Sequence, residues 1–273
     1  MSGTTPLAEL GWRPYFQAQL HQEDADGCLP ARVAAAHRTD LVLWSAGGER
    51  RVPLGGRWFV GDVLERPVVG DWVLLDPAGG AVTRRLERFS VFRRLAPGGR
   101  ELQVMCANVD VLFVVTSCNE DFSPARLERY LALAHDAAVL PVVVLTKIDT
   151  ADEPEAYRDA ARSLGRTLDV VAVNGLAPET AAPLRAYLGP GATAALVGSS
   201  GVGKSTLVNA LAGREVAATG EIREADGKGR HTTTHRALHR LPGGGLLLDA
   251  PGMRELQLPD VEAGVQDTFD AIE

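Results

Sequence analysis

The stretch AALVGSSGVGKSTLVNALAG, running from Ala194 to Gly213, decides the fold. An apolar run leads into G-x-x-x-x-G-K-[ST], with Gly198, Gly203, Lys204 and Ser205 at the four fixed positions, and a second apolar run follows at helical spacing. Glycines let the backbone turn tightly enough to aim consecutive N–H groups at a phosphate, and the helix that follows adds its positive N-terminal end. The contact candidates are therefore Gly198, Ser199, Ser200, Gly201, Val202, Gly203, Lys204, Ser205 and Thr206. Lys204 is expected to reach the β- and γ-phosphate oxygens and to be catalytic, and the Ser205 hydroxyl to hold Mg²⁺.

Working outward, near-continuous apolar runs alternate with amphipathic segments from Val109 onward. Strands are expected at VDVLFVVTS, VLPVVVLT, TLDVVAV, ATAALV and GGLLLDAPG, and helices at PARLERYLALAHDA, PEAYRDAARSLG and PETAAPLRAYL. Such runs imply a mostly parallel sheet covered by helices on both faces, an α/β nucleotide-binding domain.

Three further motifs bear on the nucleotide. Thr146-Lys147-Ile148-Asp149 ends a strand and has the form [NT]-K-x-D. The Asp149 carboxylate can accept both guanine N1–H and the exocyclic amine, a pairing that adenine does not offer, while the Lys147 stem would lie along the base or ribose. Asn174 and Gly175, in the turn VNG, stand where GTPases place a turn whose N–H groups meet guanine O6. Asp249-Ala250-Pro251-Gly252 fits D-x-x-G, with Asp249 on Mg²⁺ through water and the Gly252 N–H at the γ-phosphate. The polar segment GEIREADGKGRHTTTHR lies between the two phosphate motifs and reads as a switch; one of Thr232, Thr233 or Thr234 completes the metal shell, with Thr233 taken as the candidate. TKID precedes the phosphate loop here and DAPG follows it, so the domain is circularly permuted; its strands can keep their neighbours while the chain ends move.

Residues 28–100 read differently. The short runs ARVAAAH, DLVLWSAGG, RRVPLGG, RWFVGD, VVGDWVLLD and PAGGAVTRRL are separated by turn signals, and five strands in about 70 residues suit a small OB-like barrel. This segment carries twelve Arg against seven Asp or Glu, although the whole chain has a net charge of −7. Arg84, Arg85, Arg88, Arg93, Arg94 and Arg100 form either a solvated rim or a phosphate-tracking surface for RNA. The chain has only three lysines, and two of them fall in nucleotide motifs. Cys28, Cys106 and Cys118 form no C-x-x-C and read as apolar thiols. No apolar run approaches the ~18 residues of a membrane span, and MSGTTPLAELGW lacks the layout of a signal peptide, so a cytoplasmic protein is expected. The expected division is an N-terminal extension (1–27), an RNA-binding barrel (28–100), a permuted GTPase domain (101–257) and the start of a C-terminal region (258–273).

GSSGVGKST, GRHTTTHR, DAPGMREL, TKID and VGDWV, in this permuted order, resemble the RsgA (YjeQ) family of small-ribosomal-subunit biogenesis GTPases. The resemblance runs from about Leu10 to the last residue. It implies an OB-fold domain, GTP hydrolysis to GDP and phosphate stimulated by the 30S subunit, and binding to 16S ribosomal RNA late in assembly. Members carry a C-terminal Cys/His zinc domain; this chain reaches Glu273 without such ligands, so zinc is not expected to bind it. No membrane partner is expected, and a monomer is.

Met253 follows DAPG where many GTPases place a glutamine that orients water, and a thioether is only a weak acceptor. His231 is the candidate for positioning or deprotonating water, and His235 competes for the role. Two rival readings are a P-loop ATPase or kinase and an RNA-binding module with little turnover.

Overall fold

The computed structural model describes residues 5–95, 102–174, 178–215 and 237–249. Ahead of the barrel the chain makes short helical turns, with 3-10 turns at Leu7–Leu10 and Gln22–Asp26 flanking α1 (Pro14–Gln17). Pro14 opens α1, where a missing N–H leaves no gap. Gly11, at φ 91°, ends the first turn.

Five antiparallel strands follow: β1 (Leu29–Ala36), β2 (Asp40–Ser45), β3 (Gly48–Pro53), β4 (Trp72–Leu75) and β5 (Val82–Arg85). Their order is β3-β2-β1-β4-β5, and β1 pairs with β2 on one edge and β4 on the other. This is the OB-fold arrangement. Period-2 alternation sends Ala31, Val33, Leu41, Leu43, Val73 and Leu75 into the barrel core. Ala34, Trp44, Trp72 and Leu74 face the other way and pack with Leu10 and Phe16 of the N-terminal turns. Burial on both faces explains why every residue of WVLL is covered.

One expected strand-like run folds differently. RWFVGD contributes to a 3-10 turn, Gly56–Phe59, followed by another at Val63–Glu65. Gly55 and Gly56 admit the turn, the Trp58 N–H closes on Gly55 O at 3.1 Å, and Arg57 and Arg66 lie over the Trp58 and Phe59 rings. The aromatic residues are thus held locally and do not alternate across a sheet.

After the hairpin of β6 (Val91–Leu95) and β7 (Leu102–Ala107) the chain enters the α/β unit. Its elements are β8 (Val111–Ser117), α2 (Pro124–Asp136), β9 (Leu140–Thr146), α3 (Pro154–Arg162), β10 (Asp169–Ala172), α4 (Ala182–Arg185), β11 (Thr193–Val197), α5 (Lys204–Ala212), β12 (Ala237–Arg240) and β13 (Leu246–Asp249). The strand order is β10-β9-β8-β11-β13-β12; the first five are parallel and β12 is antiparallel to β13. Alternate residues fill two cores. Phe113, Val115, Val142, Val144 and Leu196 pack with Leu184 of α4 and Leu207 and Leu211 of α5. Leu112, Val114, Val143, Leu145 and Val197 pack on the opposite face with Leu127 of α2 and Ala161 of α3. The helix expected over 178–188 is shorter, a 3-10 turn at Pro178–Ala181 leading into the single turn of α4. Pro183 has no N–H to donate, so the run cannot continue as one α-helix.

The barrel and the α/β unit are joined in three ways. Ala35 of β1 pairs with Ala237 of β12, which continues the sheet from one into the other. Arg32 of β1 is fully buried and donates to Leu10 O (2.6 Å), Gly70 O (3.2 Å), Asn108 O (2.8 Å) and Thr193 Oγ1 (3.0 Å). Burial lowers its pKa from the ordinary arginine range to about 10 against the opposing pull of Asp110 and Asp71, so it remains a cation at neutral pH. Arg13 forks onto Asp110 at 2.8 and 3.1 Å, and the same carboxylate accepts from Thr193 N–H at 2.8 Å. The N-terminal turns are therefore a wedge between the two units. No helix among the described residues is long and apolar enough to cross a membrane.

Candidate nucleotide-binding site

After Thr193, β11 is apolar and fully buried, and it ends against β8, where the chain must turn. Gly198 has φ 145°, and a Cβ there would lie 2.1 Å from Val115 O, so only glycine passes. Gly201 and Gly203 also hold left-handed angles, 76° and 96°. Space around a Cβ built at Gly201 is open within 4 Å, as a cradle for phosphate requires, while Val202 beneath it is buried. Gly203 caps α5, whose first turn carries Lys204, Ser205 and Thr206. Lys204 is only 7% exposed, and its ammonium donates to Gly198 O at 2.7 Å and to Ser199 O. Two carbonyls therefore hold the buried charge at the mouth of the loop. Ser199 is half-buried and Ser200 exposed.

TKID, the expected base-reading motif, is tied directly to this loop. Thr146, 2% exposed at the end of β9, donates its hydroxyl to Val202 O at 2.6 Å, with Thr116 O at 3.2 Å. Lys147 takes a left-handed φ of 56° and starts the 3-10 turn Ile148–Thr150, which leaves Asp149 exposed. The Thr150 hydroxyl fastens that turn to Lys147 O at 3.0 Å. Asn174 follows the neighbouring strand β10, and its carbonyl accepts from the Thr180 hydroxyl. Asp249 ends β13, next to β11. Because β10, β9, β8, β11 and β13 are parallel, the phosphate loop, TKID, Asn174 and Asp249 all lie at one carboxyl edge, where ligands bind in open α/β sheets. Gly175, His231, Thr233 and Gly252 lie outside the described residues.

Arg126, which no motif marked, also reaches the site. It sits in the first turn of α2, with its N–H 3.3 Å from the capping Ser123 hydroxyl, and its guanidinium donates to Ser199 Oγ at 2.5 Å. The sequence signal is absent because Arg126 and Ser199 are 73 positions apart.

The arginine-rich segment, read as rim or phosphate track, is largely engaged within the protein. Arg84 pairs with Asp24, Arg85 with Glu65 and Arg88 with Asp71. The side chains of Arg85 and Arg88 are 11% and 9% exposed, which leaves little of either for a phosphate. Arg93 is exposed, and Arg100 lies outside the described residues. None of Cys28, Cys106 and Cys118 is in a disulfide, and the last two are buried, as apolar side chains would be.

The RsgA GTPase family model matches residues 85–259. The chain belongs to the RsgA GTPase family. A relative from Mesorhizobium japonicum, named small ribosomal subunit biogenesis GTPase RsgA, is 51% identical over 96% of this chain and 75% of its own length. One from Vibrio parahaemolyticus, small ribosomal subunit biogenesis GTPase RsgA 2, is 46% identical over 100% of this chain and 75% of its own. The crystal structure of YjeQ from Thermotoga maritima shares the fold with a TM-score of 0.62 at 24% identity, covering 85% of this chain and 78% of that one. YloQ, described as a circularly permuted GTPase, matches at 0.62 and 22% identity over 88% and 77%.

This member of the family is accordingly a GTP hydrolase that uses a guanine nucleotide with Mg²⁺. The residues present suit both ligands. The open cradle at Gly201 and the buried Lys204 ammonium suit phosphate. A Ser205 hydroxyl and an Asp249 carboxylate at the same sheet edge are the hard oxygen donors that Mg²⁺ takes.

Proposed function

We propose that this chain is a ribosome-stimulated GTPase that binds the 30S subunit and its 16S rRNA in the cytoplasm and assists late small-subunit maturation. The observation that carries the reading is the tie between base and phosphate motifs: the Thr146 hydroxyl on Val202 O makes TKID and the phosphate loop a single site. The relatives' shared name supports the small subunit as partner. The barrel, residues 28–100, is the RNA-binding unit and residues 101–257 the catalytic one, with 1–27 joining them and 258–273 beginning a further region.

Within this reading Asp149 accepts from guanine N1–H and the amine, Lys147 lies along the nucleoside, and Asn174 with Gly175 faces O6. The N–H groups of residues 199–206 surround the β-phosphate. Ser205, Asp249 through water, and Thr233 would hold Mg²⁺, which would supply positive charge to the phosphate oxygens. Lys204 stabilises charge that grows on the β–γ bridging oxygen as its bond to the γ-phosphorus breaks. His231 orients the attacking water and takes its proton as the new P–O bond forms, leaving GDP and phosphate. Gly252 N–H senses the γ-phosphate.

Turnover with and without purified 30S subunits tests this. Wild type is expected to accelerate with 30S, and His231→Ala to bind GTP yet lose at least about tenfold of the stimulated rate. Lys204→Ala is expected to be inactive in both conditions. Equal wild-type rates with and without subunits, or full stimulation of His231→Ala, would overturn the respective part.

A further inference from the structure

The phosphate lysine does not stand alone. Its ammonium is held by the carbonyls of Gly198 and Ser199, and the hydroxyl of that same Ser199 accepts from Arg126. Ser199 is thus gripped from two sides, by Lys204 at its backbone and by Arg126 at its side chain. The outer grip is itself rigid. Arg126 N–H bonds to Ser123 O at 3.1 Å and lies 3.3 Å from the Ser123 hydroxyl, and its guanidinium also donates to Asp121 O at 3.3 Å. Leu127, Tyr130, Leu133 and Ala134 anchor α2 in the core below.

We propose that Arg126 is a positioning residue for GTP hydrolysis: it fixes Ser199 so that the Ser199 carbonyl aims Lys204 at the transferring phosphate. The inference rests on Lys204 being the phosphate-contacting lysine. Physical need for such a device follows from the loop's composition. Gly198, Gly201 and Gly203 allow the required backbone path but do not enforce it, because glycine is free to take many conformations. A side-chain bond to a packed helix restricts the peptide that holds the lysine without obstructing the N–H groups that face the ligand. Small misplacement of a catalytic group lowers the rate more than it weakens binding, because the group's contribution is greatest in the transition state.

Steady-state GTP hydrolysis and GDP affinity of Arg126→Ala, Ser199→Ala and their double variant test the inference. Each single change is expected to lower kcat about tenfold while KM for GTP and Kd for GDP move by less than about threefold. The double variant is expected to be no slower than the worse single, because both changes cut the same bond. Arg126→Lys keeps the charge but lacks the guanidinium fork and is expected to stay near the alanine level. Ser199→Ala leaves α2 untouched, so it reads the bond even if Arg126→Ala fails to fold. Additive losses, wild-type kcat in Ser199→Ala, or a rise in KM and GDP Kd at constant kcat would overturn the proposal; the last would make Arg126 a direct nucleotide ligand. Lys204→Ala separates the two readings. If it still turns over, the phosphate-site reading fails; if it is inactive while Arg126→Ala is normal, only the positioning role fails.

Discussion

Replacing Arg32 with methionine removes the guanidinium that binds four acceptors from four separate segments: Leu10 O, Gly70 O, Asn108 O and Thr193 Oγ1. Gly70 O keeps a donor, since Asn108 Nδ2 also reaches it at 3.0 Å. Leu10 O and Asn108 O lose the bonds that Arg32 supplies. A buried carbonyl left unpaired costs about 1–3 kcal/mol, so the two together cost roughly 2–6 kcal/mol. Taking about 4 kcal/mol, and about 2–4 °C per kcal/mol for a chain of this size, the melting temperature should fall by roughly 10 °C. Scanning calorimetry with and without GDP is the assay. In wild type the barrel and GTPase domain are expected to melt together and to rise together with GDP. In Arg32→Met the two transitions are expected to separate, with only the GTPase transition responding. A fall of less than about 2 °C with a single GDP-responsive transition would refute the view that this guanidinium welds the units together.

Gly198→Ala should cripple nucleotide binding. Its Cβ would lie 2.1 Å from Val115 O at a φ of 145°, and the backbone strain alone is worth about 1–3 kcal/mol. Calorimetric titration with GDP should show at least about a tenfold loss, and affinity within twofold of wild type would contradict the geometry. Thr146→Val keeps volume but removes the donor to Val202 O, so GDP affinity should drop about tenfold while Thr146→Ser stays near wild type. Equal affinities for the valine and serine variants would show that the hydroxyl does not tie the two motifs.

The phosphate loop, TKID and the D-x-x-G aspartate were legible because each is a short segment whose chemistry depends on local spacing. The parallel sheet was legible for a related reason: strands buried on both faces have few polar positions, as in VLFVVTS. Two local readings failed where small residues or prolines outweighed the apolar pattern. RWFVGD became a 3-10 turn after Gly55 and Gly56, and Pro183 left only one turn of the expected helix over 178–188. The charge of the barrel arginines was equally visible, but their partners were not. Arg84 meets Asp24 across 60 positions and Arg88 meets Asp71 across 17, and a tally of charges cannot say which are already paired.

By itself, the sequence determined the nucleotide chemistry and the permuted order of the motifs, since both follow from residue type and spacing along the chain. Only the tertiary structure decided how that site is supported. Arg126 reaches Ser199 from 73 positions away, and Arg32 reaches Thr193 from 161. The N-terminal turns, for which the residues alone offered no chemistry, are the wedge that Arg13 and Asp110 lock between the barrel and the sheet. Hydrogen bonds act over about 3 Å, and folding alone brings such distant positions within that range.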